Sequence, residues 1–392
     1  MHKRLFWRRF VPFNKEHMRP IQMVDLKTQY NGIKNEIDLA IREVLETTAF
    51  INGKAVTDFA QSLALYLGID QVIPCANGTD ALQIALMGLG LEPGDEVITP
   101  SFTFIATTEV VALLRLKPVF ADVDAKTFCL DPVSLEKQIT NRTKAIVPVH
   151  LYGQSAPMKE IMEIAEKYGL KVVEDNAQAI GGDYTFPGGK KFKTGTIGTV
   201  GTTSFFPSKN LGAYGDGGAL FTKDDALADI FKMIANHGQK KRYYHEIVGC
   251  NSRLDTIQAA ILNVKLPLLN KYIDQRRAAA AYYDRSFSGH PKITTPFRAP
   301  YSNHVFHQYT LLIEGADRNK LNEFLASRNI PSMIYYPVPA HRQNMFSAFQ
   351  SGLQKLEVTD WLTERVISLP MHTELDEEQL KFISSSVMEF LN

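Results

Sequence analysis

The chain has 392 residues, of which 45% are hydrophobic, and its formal net charge is +1. This length and composition predict a large core divided between two domains, and the balanced charge gives no reason to expect nucleic acid as a partner. The three cysteines form no CxxC pair and no apolar run is long enough to span a membrane, so we expect a cytoplasmic protein without disulfides, a metal site or stable membrane insertion.

Residues 1–20 are more basic than the rest of the chain. They carry six Lys or Arg residues, with Glu16 as the only acidic residue. Short aromatic runs interrupt the basic residues but are too brief for a secretory signal. We therefore expect a disordered basic tail, with a weak membrane-surface anchor as the alternative.

Two amphipathic helices are predicted before residue 70. Ile33, Ile37 and Ile41 recur every four residues with polar residues between them, which is the spacing of one helical face. A second helical pattern covers residues 56–67 and ends at Gly68, a typical helix stop.

Beyond these helices, short apolar strands alternate with helical segments. The predicted strands are Val72–Cys75, Glu96–Thr99, Val119–Val123, Ala145–His150 and Lys171–Glu174. Helices are predicted from Thr79, after Ser101, after Asp131 and over Pro157–Tyr168. This repeated order predicts an α/β domain with a mostly parallel, doubly wound sheet, whose ligands bind at the carboxyl ends of its strands.

The fifth predicted strand ends in two carboxylates, within the sequence KVVEDNAQAIGG. Asp175 falls at the carboxyl end of the strand, where an Asp can hold the protonated nitrogen of a pyridinium ring. Gln178, three residues later, could reach a phenolic oxygen of the same ring. Taken alone, Asp175 is equally well explained as a residue that caps a turn.

The stretch SFFPSKNLGAYGDGGAL, residues 204–220, contains a lysine suited to covalent chemistry. Lys209 lies between an aromatic run and a glycine-rich tract, and such an apolar setting favours the neutral amine. A neutral lysine can form a Schiff base with a carbonyl, most often that of pyridoxal phosphate. A lone lysine is usually a surface residue, but Lys209 together with Asp175 predicts a pyridoxal phosphate site.

Other strand ends carry residues that suit the same cofactor. Gly78 and Thr79 open the helix after the first strand, where free N–H groups and a hydroxyl suit a phosphate, although a simple N-cap would also explain them. Ser204 is the predicted second phosphate contact. Phe104 follows another strand and could stack on a cofactor ring, with ordinary core packing as the alternative.

The second half of the chain predicts a smaller domain. The elements predicted after residue 209 are a strand at Gly218–Thr222, a helix at Asp224–Asn236, a strand at Gln308–Ile313, a helix at Arg318–Arg328, a strand at Met333–Tyr336 and a helix at Asp376–Leu391. The basic and aromatic segment 237–250 predicts a solvated loop. A long helical pattern kinked at Pro267 typically bridges two domains, so we place a large domain at 21–265 and a small α+β domain at 266–392.

In combination, these motifs resemble the DegT family of nucleotide-sugar aminotransferases. The resemblance extends from about residue 23 to the end of the chain and rests on CANGTDAL, GDEVITPSFTF, VVEDNAQAIG, SFFPSKNLGAYGDGGA and GCNSRLDTIQAAIL. It implies the aspartate-aminotransferase-like fold of type I pyridoxal phosphate enzymes, with a large α/β domain and a smaller C-terminal domain.

The resemblance also implies roles for individual residues. Lys209 would be the Schiff-base lysine, Asp175 would face the pyridine nitrogen, Gln178 would lie near the phenolic oxygen and Phe104 would stack on the ring. The family's active site is shared across a homodimer. The residues that would hold the cofactor phosphate are Gly78, Thr79, Ser204 and, from the partner subunit, Asn251.

Within the family, the sequence NSRLD resembles enzymes that aminate C3 of a 3-keto sugar. Together with HGQKKRYYH, it is most similar to enzymes that aminate UDP-2-acetamido-2-deoxy-3-oxo-glucuronate for O-antigen and lipopolysaccharide biosynthesis. Those relatives carry His-Tyr-Pro where this chain has Tyr335-Tyr336-Pro337. Arg253, Tyr335 and Tyr336 are the expected substrate-binding residues, and a dTDP-3-keto-6-deoxyhexose or a 4-keto sugar is the alternative substrate.

The implied reaction takes its amino group from L-glutamate and follows ping-pong kinetics, with Lys209 acting as general base and then as general acid. The family's sugar dehydratases carry His at the lysine position, so Lys209 disfavours that chemistry. A hypothesis from a different class is a non-catalytic regulator that binds the cofactor or a sugar.

Overall fold

The computed structural model describes residues 18–349 and 354–392, so residues 1–17 of the predicted basic tail lie outside it. The helices of the described part are α1 Leu26–Gly32, α2 Lys34–Thr47, α3 Lys54–Leu67, α4 Gly78–Gly88, α5 Ala106–Leu113, α6 Pro132–Lys137, α7 Met158–Tyr168, α8 Asp225–Ala235, α9 Thr256–Lys265, α10 Leu269–Phe287, α11 Arg318–Ser327, α12 Glu357–Thr363 and α13 Glu377–Leu391. In these ranges no helix combines the length and the apolar character needed to cross a membrane.

The strands divide between one large sheet and three small ones. They are β1 Gln71–Cys75, β2 Glu96–Pro100, β3 Lys117–Ala121, β4 Thr143–Ile146, β5 Lys171–Asp175, β6 Asp183–Thr185, β7 Lys191–Lys193, β8 Val200–Ser204, β9 Gly218–Thr222, β10 Gln239–Lys241, β11 Tyr244–His245, β12 Ile293–Thr294, β13 Tyr309–Ile313 and β14 Val366–Leu369. The large sheet has the order β1-β9-β8-β5-β4-β2-β3.

The central sheet is mostly parallel, as the alternation of strands and helices predicts. Neighbouring strands from β8 to β3 run parallel, whereas β9 is antiparallel to both β8 and β1. The carboxyl ends of β5 and β8 therefore lie side by side at one edge of the sheet. Residues 205–217 leave β8 at that edge before the chain returns as β9.

Helices cover both faces of this sheet, because alternate strand residues are buried on opposite sides. Val173 of β5 and Leu220 of β9 pack in one cluster with residues of α4 and α8. Val172 packs on the other face with α7, and Phe221 packs there with α3 and α9. The strands consequently read as continuous apolar runs, which is why they were visible in the sequence.

The C-terminal part of the chain builds a second core. Strands β12, β13 and β14 form an antiparallel sheet that packs with α10, α11 and α13. Tyr283 and Phe287 of α10 belong to this core, beyond a short 3-10 turn that contains Pro267. Ile21 packs there as well, so the start of the described chain contacts the second core. The division into domains at residue 266 stays a prediction.

Several local predictions need correction. The strand predicted over Met333–Tyr336 is wrong: only Met333 makes a bridge, to Ser368, and the following residues turn towards a cavity described below. The segment 237–250 is not simply a loop, because it contains the antiparallel pair β10 and β11. Strands β3 and β4 begin two residues earlier than predicted. The strands β6, β7, β8, β12 and β14 and the helix α12 were not predicted.

A buried carboxylate fixes the carboxyl end of β5. Glu174 is fully buried, and its Oε1 accepts from the backbone N–H groups of Ile197 and Gly198 while Oε2 accepts from that of Gly195 at 2.9 Å. His150 contacts Oε2 through Nε2 at 2.9 Å. Since the N–H of Ala156 donates to Nδ1 of the same ring, the ring proton is on Nε2 and is donated to Glu174.

Glu174→Gln tests how much this network contributes to stability. The substitution keeps the volume but replaces one acceptor oxygen by a donor, so buried N–H groups lose their partner. We expect the free energy of unfolding to fall by about 1–3 kcal/mol, the usual cost of leaving a buried hydrogen-bond donor without its acceptor. Guanidinium denaturation followed by circular dichroism measures the change.

Glu163→Gln is the matched control, because Glu163 lies on the surface of α7 and its one ion pair among the described residues is with Lys159. We expect it to change stability by no more than about 0.5 kcal/mol. Burial raises the pKa of Glu174, but the hydrogen bonds from His150 and the backbone outweigh this and hold it below its ordinary value. The difference between wild type and Glu174→Gln should therefore be full above the unfolded-state pKa and shrink as the pH falls through the folded-state pKa. Equal stability of the two variants would contradict the assignment.

Candidate functional site

A cavity of about 610 Å³ opens where the carboxyl ends of β5 and β8 meet. It contains most of the residues that the sequence singled out, although they come from distant parts of the chain. The predicted site residues that line it are Gly78, Thr79, Phe104, Asp175, Gln178, Ser204, Lys209, Tyr335 and Tyr336. Their roles towards a cofactor stay predictions, but the structure brings all of them to one place.

Lys209 lies on the connection between β8 and β9 and borders this cavity. Its side chain makes no hydrogen bond or ion pair with any residue that the structure describes. Burial lowers the pKa of the Lys209 amine to about 8, against the opposing effect of the nearby Asp175 carboxylate. A substantial fraction of the amine is therefore neutral near physiological pH, as a nucleophile or a general base requires.

Asp175 is held in place at the end of β5. Its side chain is only 6% exposed and borders the cavity. Oδ2 accepts a hydrogen bond of 2.8 Å from the hydroxyl of Thr107, and Oδ1 accepts one of 3.1 Å from the N–H of Ala177. The carboxylate thus keeps a fixed plane and retains lone pairs that can accept a further donor from the cavity.

The beginning of α4 forms an anion cradle beside the end of β8. Asn77 caps the helix by accepting from the N–H of Asp80 at 2.8 Å, which leaves the first N–H groups of α4 free to bind another acceptor. Gly78 packs so close to Ser204 that a Cβ atom there would lie 2.7 Å from the Ser204 Cβ. Only glycine allows this approach, and the hydroxyls of Thr79 and Ser204 meet the helix end as a result.

Gln178 is oriented by two hydrogen bonds. The N–H of Tyr152 donates to Oε1 at 2.7 Å, so Nε2 is the donor end of the amide and contacts the Tyr336 hydroxyl at 3.0 Å. The Tyr152 hydroxyl in turn donates to the carbonyl of Tyr335. These contacts hold the two predicted substrate-binding tyrosines at the cavity wall. Phe104 is 53% exposed and its ring lies 6.3 Å from that of Tyr336, centroid to centroid, so it is not a core residue.

Two of the predicted residues do not line the cavity of their own chain. Asn251 is exposed and makes an isolated bridge with Asn236, and Arg253 borders a separate cleft near Val72 and Lys232. A role for either residue in this cavity would require a second copy of the chain, as the family resemblance implies for Asn251.

The cavity also contains residues that were not predicted from the sequence. They are Asn77, Thr103, Ser208, Asp216, His307 and Gln308, among others. Asn77 and Ser208 directly precede the predicted residues Gly78 and Lys209 in the sequence, and this position could have indicated them. Burial, reinforced by the positive charges of Lys209 and Arg276, holds the pKa of His307 well below its ordinary value, so its ring is neutral. No local pattern singles out His307, because it reaches the cavity only through the packing of the two cores.

The residues present fit pyridoxal phosphate. The cradle at Gly78, Thr79 and Ser204 supplies donors for a phosphate, and the desolvated amine of Lys209 can react with an aldehyde. The Asp175 carboxylate is anchored and has lone pairs left for a protonated ring nitrogen. These residues line one cavity, so a single ligand that carries a phosphate, an aldehyde and a ring nitrogen could contact all of them.

A family model of the DegT/DnrJ/EryC1/StrS aminotransferase family matches residues 31–388. UDP-2-acetamido-2-deoxy-3-oxo-D-glucuronate aminotransferase of Pseudomonas aeruginosa is 47% identical, over 94% of this chain and 99% of that protein. A pleiotropic regulatory protein of Geobacillus stearothermophilus is 45% identical, over 94% and 98%. UDP-N-acetyl-3-dehydro-alpha-D-glucosamine 3-aminotransferase of Acidithiobacillus ferrooxidans is 43% identical, over 95% and 98%.

Solved structures agree with this match. DesV of Streptomyces venezuelae superposes with a TM-score of 0.91 at 37% identity, and the match covers 96% of this chain and 99% of DesV. NtdA of Bacillus subtilis, solved with the bound cofactor PMP, superposes with a TM-score of 0.88 at 30% identity, covering 97% and 86%. The fold predicted from the sequence is therefore confirmed.

The lowered pKa of Lys209 leads to a testable pH dependence. In the cofactor-free protein, trace labelling with acetic anhydride should modify Lys209 increasingly as the pH rises, with a midpoint near the pKa of about 8, because only the neutral amine reacts. Mass spectrometry of the digested protein measures this. Peptides containing the exposed Lys144 provide the internal comparison. A midpoint at an ordinary lysine value, near 10.5, would contradict the desolvated environment.

Proposed function

This chain belongs to the DegT/DnrJ/EryC1/StrS aminotransferase family of pyridoxal phosphate enzymes, and we propose that it transfers an amino group from L-glutamate to C3 of UDP-2-acetamido-2-deoxy-3-oxo-glucuronate. The observation that carries the proposal is the desolvated amine of Lys209, which has no hydrogen-bond partner among the described residues and shares one cavity with the anchored Asp175 carboxylate. The identity of 47% with an enzyme of that name supports the choice of sugar.

Pyridoxal phosphate, when bound, supplies an aldehyde that takes up the amino group and a ring that accepts electrons from the donor. The chain's residues have three tasks in this reaction. Lys209 Nζ would take the proton from Cα of the donor and deliver it to the carbon of the cofactor's aldehyde group. The Lys209 pKa of about 8 allows this near neutral pH. Asp175 holds the proton on the ring nitrogen. The beginning of α4, with Thr79 and Ser204, binds the phosphate and fixes the register of the ring.

A second copy of the chain would complete the site. UDP and a uronate together carry several negative charges, yet Lys209 is the only Lys or Arg among the described residues that line the cavity. On this proposal the protein is a homodimer, and each subunit lends Asn251 to the cofactor phosphate and Arg253 to the sugar of its neighbour. Arg suits the second task because its planar guanidinium pairs with a carboxylate through two hydrogen bonds.

Other substrates remain within the family's range. Relatives named for dTDP-linked 3-amino sugars are 38% identical to this chain, below the identity to the two UDP-sugar enzymes. For that reason we place a dTDP-3-keto-6-deoxyhexose, or a 4-keto sugar, second. Tyr335 and Tyr336 form the wall of the cavity that would select between these sugars. The proposed product would serve lipopolysaccharide or O-antigen synthesis in the cytoplasm.

A regulatory protein is the alternative from a different class. One relative of 45% identity is named a pleiotropic regulatory protein, so family membership alone does not exclude it. A regulator that only binds a ligand has no use for a desolvated lysine amine that borders the cavity without a hydrogen-bond partner among the described residues, because desolvating a charge costs stability. The state of Lys209 therefore favours catalysis.

The first test is the absorbance of the purified protein with pyridoxal phosphate, before and after addition of L-glutamate. We expect a visible band that glutamate bleaches in wild type. In Lys209→Ala, the rate of bleaching should fall by at least about 100-fold, since general acid-base catalysis by a positioned side chain contributes that much or more. Stopped-flow spectroscopy measures the rate.

Lys144→Ala is the control for that experiment, because Lys144 is exposed and distant in sequence from the site residues. It should behave as wild type. Binding of the cofactor without any bleaching by glutamate or another amino acid would overturn the enzyme proposal and leave the regulatory one.

Arg253→Met tests the sugar and the dimer together. If Arg253 pairs with the uronate carboxylate across a homodimer, kcat/KM for the 3-oxo-glucuronate substrate should fall by about 10- to 100-fold, the effect of losing a hydrogen-bonded charge pair. UDP-2-acetamido-2-deoxy-3-oxo-glucose, which lacks the carboxylate, should be affected far less. Equal losses for both sugars, or higher wild-type activity on a dTDP sugar, would contradict the assignment.

A further inference from the structure

Two threonine hydroxyls form a chain of hydrogen bonds that ends at the Asp175 carboxylate. Thr107 Oγ1 lies 2.8 Å from Asp175 Oδ2, and Thr103 Oγ1 lies 3.1 Å from Thr107 Oγ1. Thr107 is 1% exposed and Thr103 is 4% exposed, so water does not compete for these contacts. Thr103 also borders the cavity.

The direction of both hydrogen bonds follows from the chemistry of the groups. A carboxylate only accepts, so the single hydroxyl proton of Thr107 is donated to Asp175. Thr107 then has no proton left for its other neighbour. Thr103 must therefore donate to Thr107, and its own lone pairs remain available on the side of the cavity. Hydrogen bonds that point the same way in a dry site strengthen one another.

The local fold explains why these residues meet. Thr107 is in the first turn of α5, and Thr103 lies four residues before it on the loop that leaves β2. The loop before α5 places the Thr103 hydroxyl against that of Thr107, and the first turn of α5 places Thr107 against Asp175 at the end of β5. The neighbouring Thr108 points elsewhere, because its hydroxyl donates to the carbonyl of Ile105 at 3.0 Å.

We infer that Thr103 and Thr107 form a positioning relay, in which Thr107 fixes the rotamer of Asp175 and Thr103 fixes the hydroxyl of Thr107. The N–H of Ala177 holds Oδ1 and Thr107 holds Oδ2, so the carboxylate plane is set before a ligand arrives. The inference rests on the proposed role of Asp175 at the ring nitrogen of the cofactor. Neither threonine takes a proton in the reaction; the relay acts through Asp175.

Thr107→Val removes the hydroxyl while keeping the shape of the side chain. We expect the dissociation constant of pyridoxal phosphate to rise by about 10- to 100-fold, the usual effect of losing a hydrogen bond to a charged group. The rate of bleaching by L-glutamate at saturating cofactor should also fall. Thr107→Ser, which restores the donor, should recover most of both losses. Cofactor affinity is measured by titrating the cofactor-free protein and following absorbance.

Thr108→Val is the matched control, since it removes a buried threonine hydroxyl on the next residue that does not face Asp175. We expect unchanged cofactor affinity even if the melting temperature falls. Thr103→Val should produce a smaller loss than Thr107→Val, because it leaves the contact with Asp175 in place.

Asp175→Asn separates failure of the relay from failure of the role on which it rests. Weak cofactor binding by Asp175→Asn together with wild-type binding by Thr107→Val would overturn the relay alone. Wild-type binding and bleaching by Asp175→Asn would overturn the role of Asp175, and the relay with it. Equal losses in Thr107→Val and Thr108→Val would show that both threonines act only on stability, which also overturns the relay.

Discussion

The structure depends on the different environments of two adjacent carboxylates at the carboxyl end of β5. Neighbouring side chains on a strand point to opposite faces, so Glu174 and Asp175 cannot share an environment. The Glu174 side chain is buried in the protein interior. Hydrogen bonds from His150 and three backbone N–H groups offset the free-energy cost of its burial. Asp175 borders the cavity and keeps acceptor capacity for a ligand. One strand end thus fixes the loop before β8 through Glu174 and supplies Asp175, the carboxylate proposed to bind the cofactor.

A comparison of two desolvated lysines shows what separates a structural lysine from one that a ligand can reach. Burial lowers the pKa of both Lys209 and Lys265 to about 8. Lys265 donates to the carbonyl of Gly212 at 2.6 Å and lies over the ring of Tyr214, so its amine is occupied in the folded protein. Lys209 borders the cavity and has no hydrogen-bond partner within residues 18–349 and 354–392. Access to the cavity, and not the pKa alone, distinguishes Lys209, the lysine proposed to react, from Lys265.

The cavity is assembled from both halves of the chain, and this explains how one family can act on many sugars. The parts that suit the cofactor come from the central sheet, whose parallel strands end together at one edge. The wall at Tyr335 and Tyr336 comes from an irregular segment beside the second core, where sequence can change without disturbing the sheet. Tyr335-Tyr336-Pro337, for which the family resemblance implies His-Tyr-Pro, lies on this wall and not on the cofactor side.

The sequence alone determined the fold class, most of the alternating strands and helices up to β5, and several of the cavity residues, including Lys209, Asp175 and Gly78. These could be predicted because their signals are local: apolar runs, helical spacing and the rule that ligands gather at carboxyl ends of parallel strands. Only the tertiary structure decided the pairings, such as Gln178 with Tyr336, which are 158 positions apart. It also gave Thr107 its partner and placed Arg253 outside the cavity of its own chain. The physical reason is that a side chain's type is written in the sequence, whereas its hydrogen-bond partner depends on how distant segments pack.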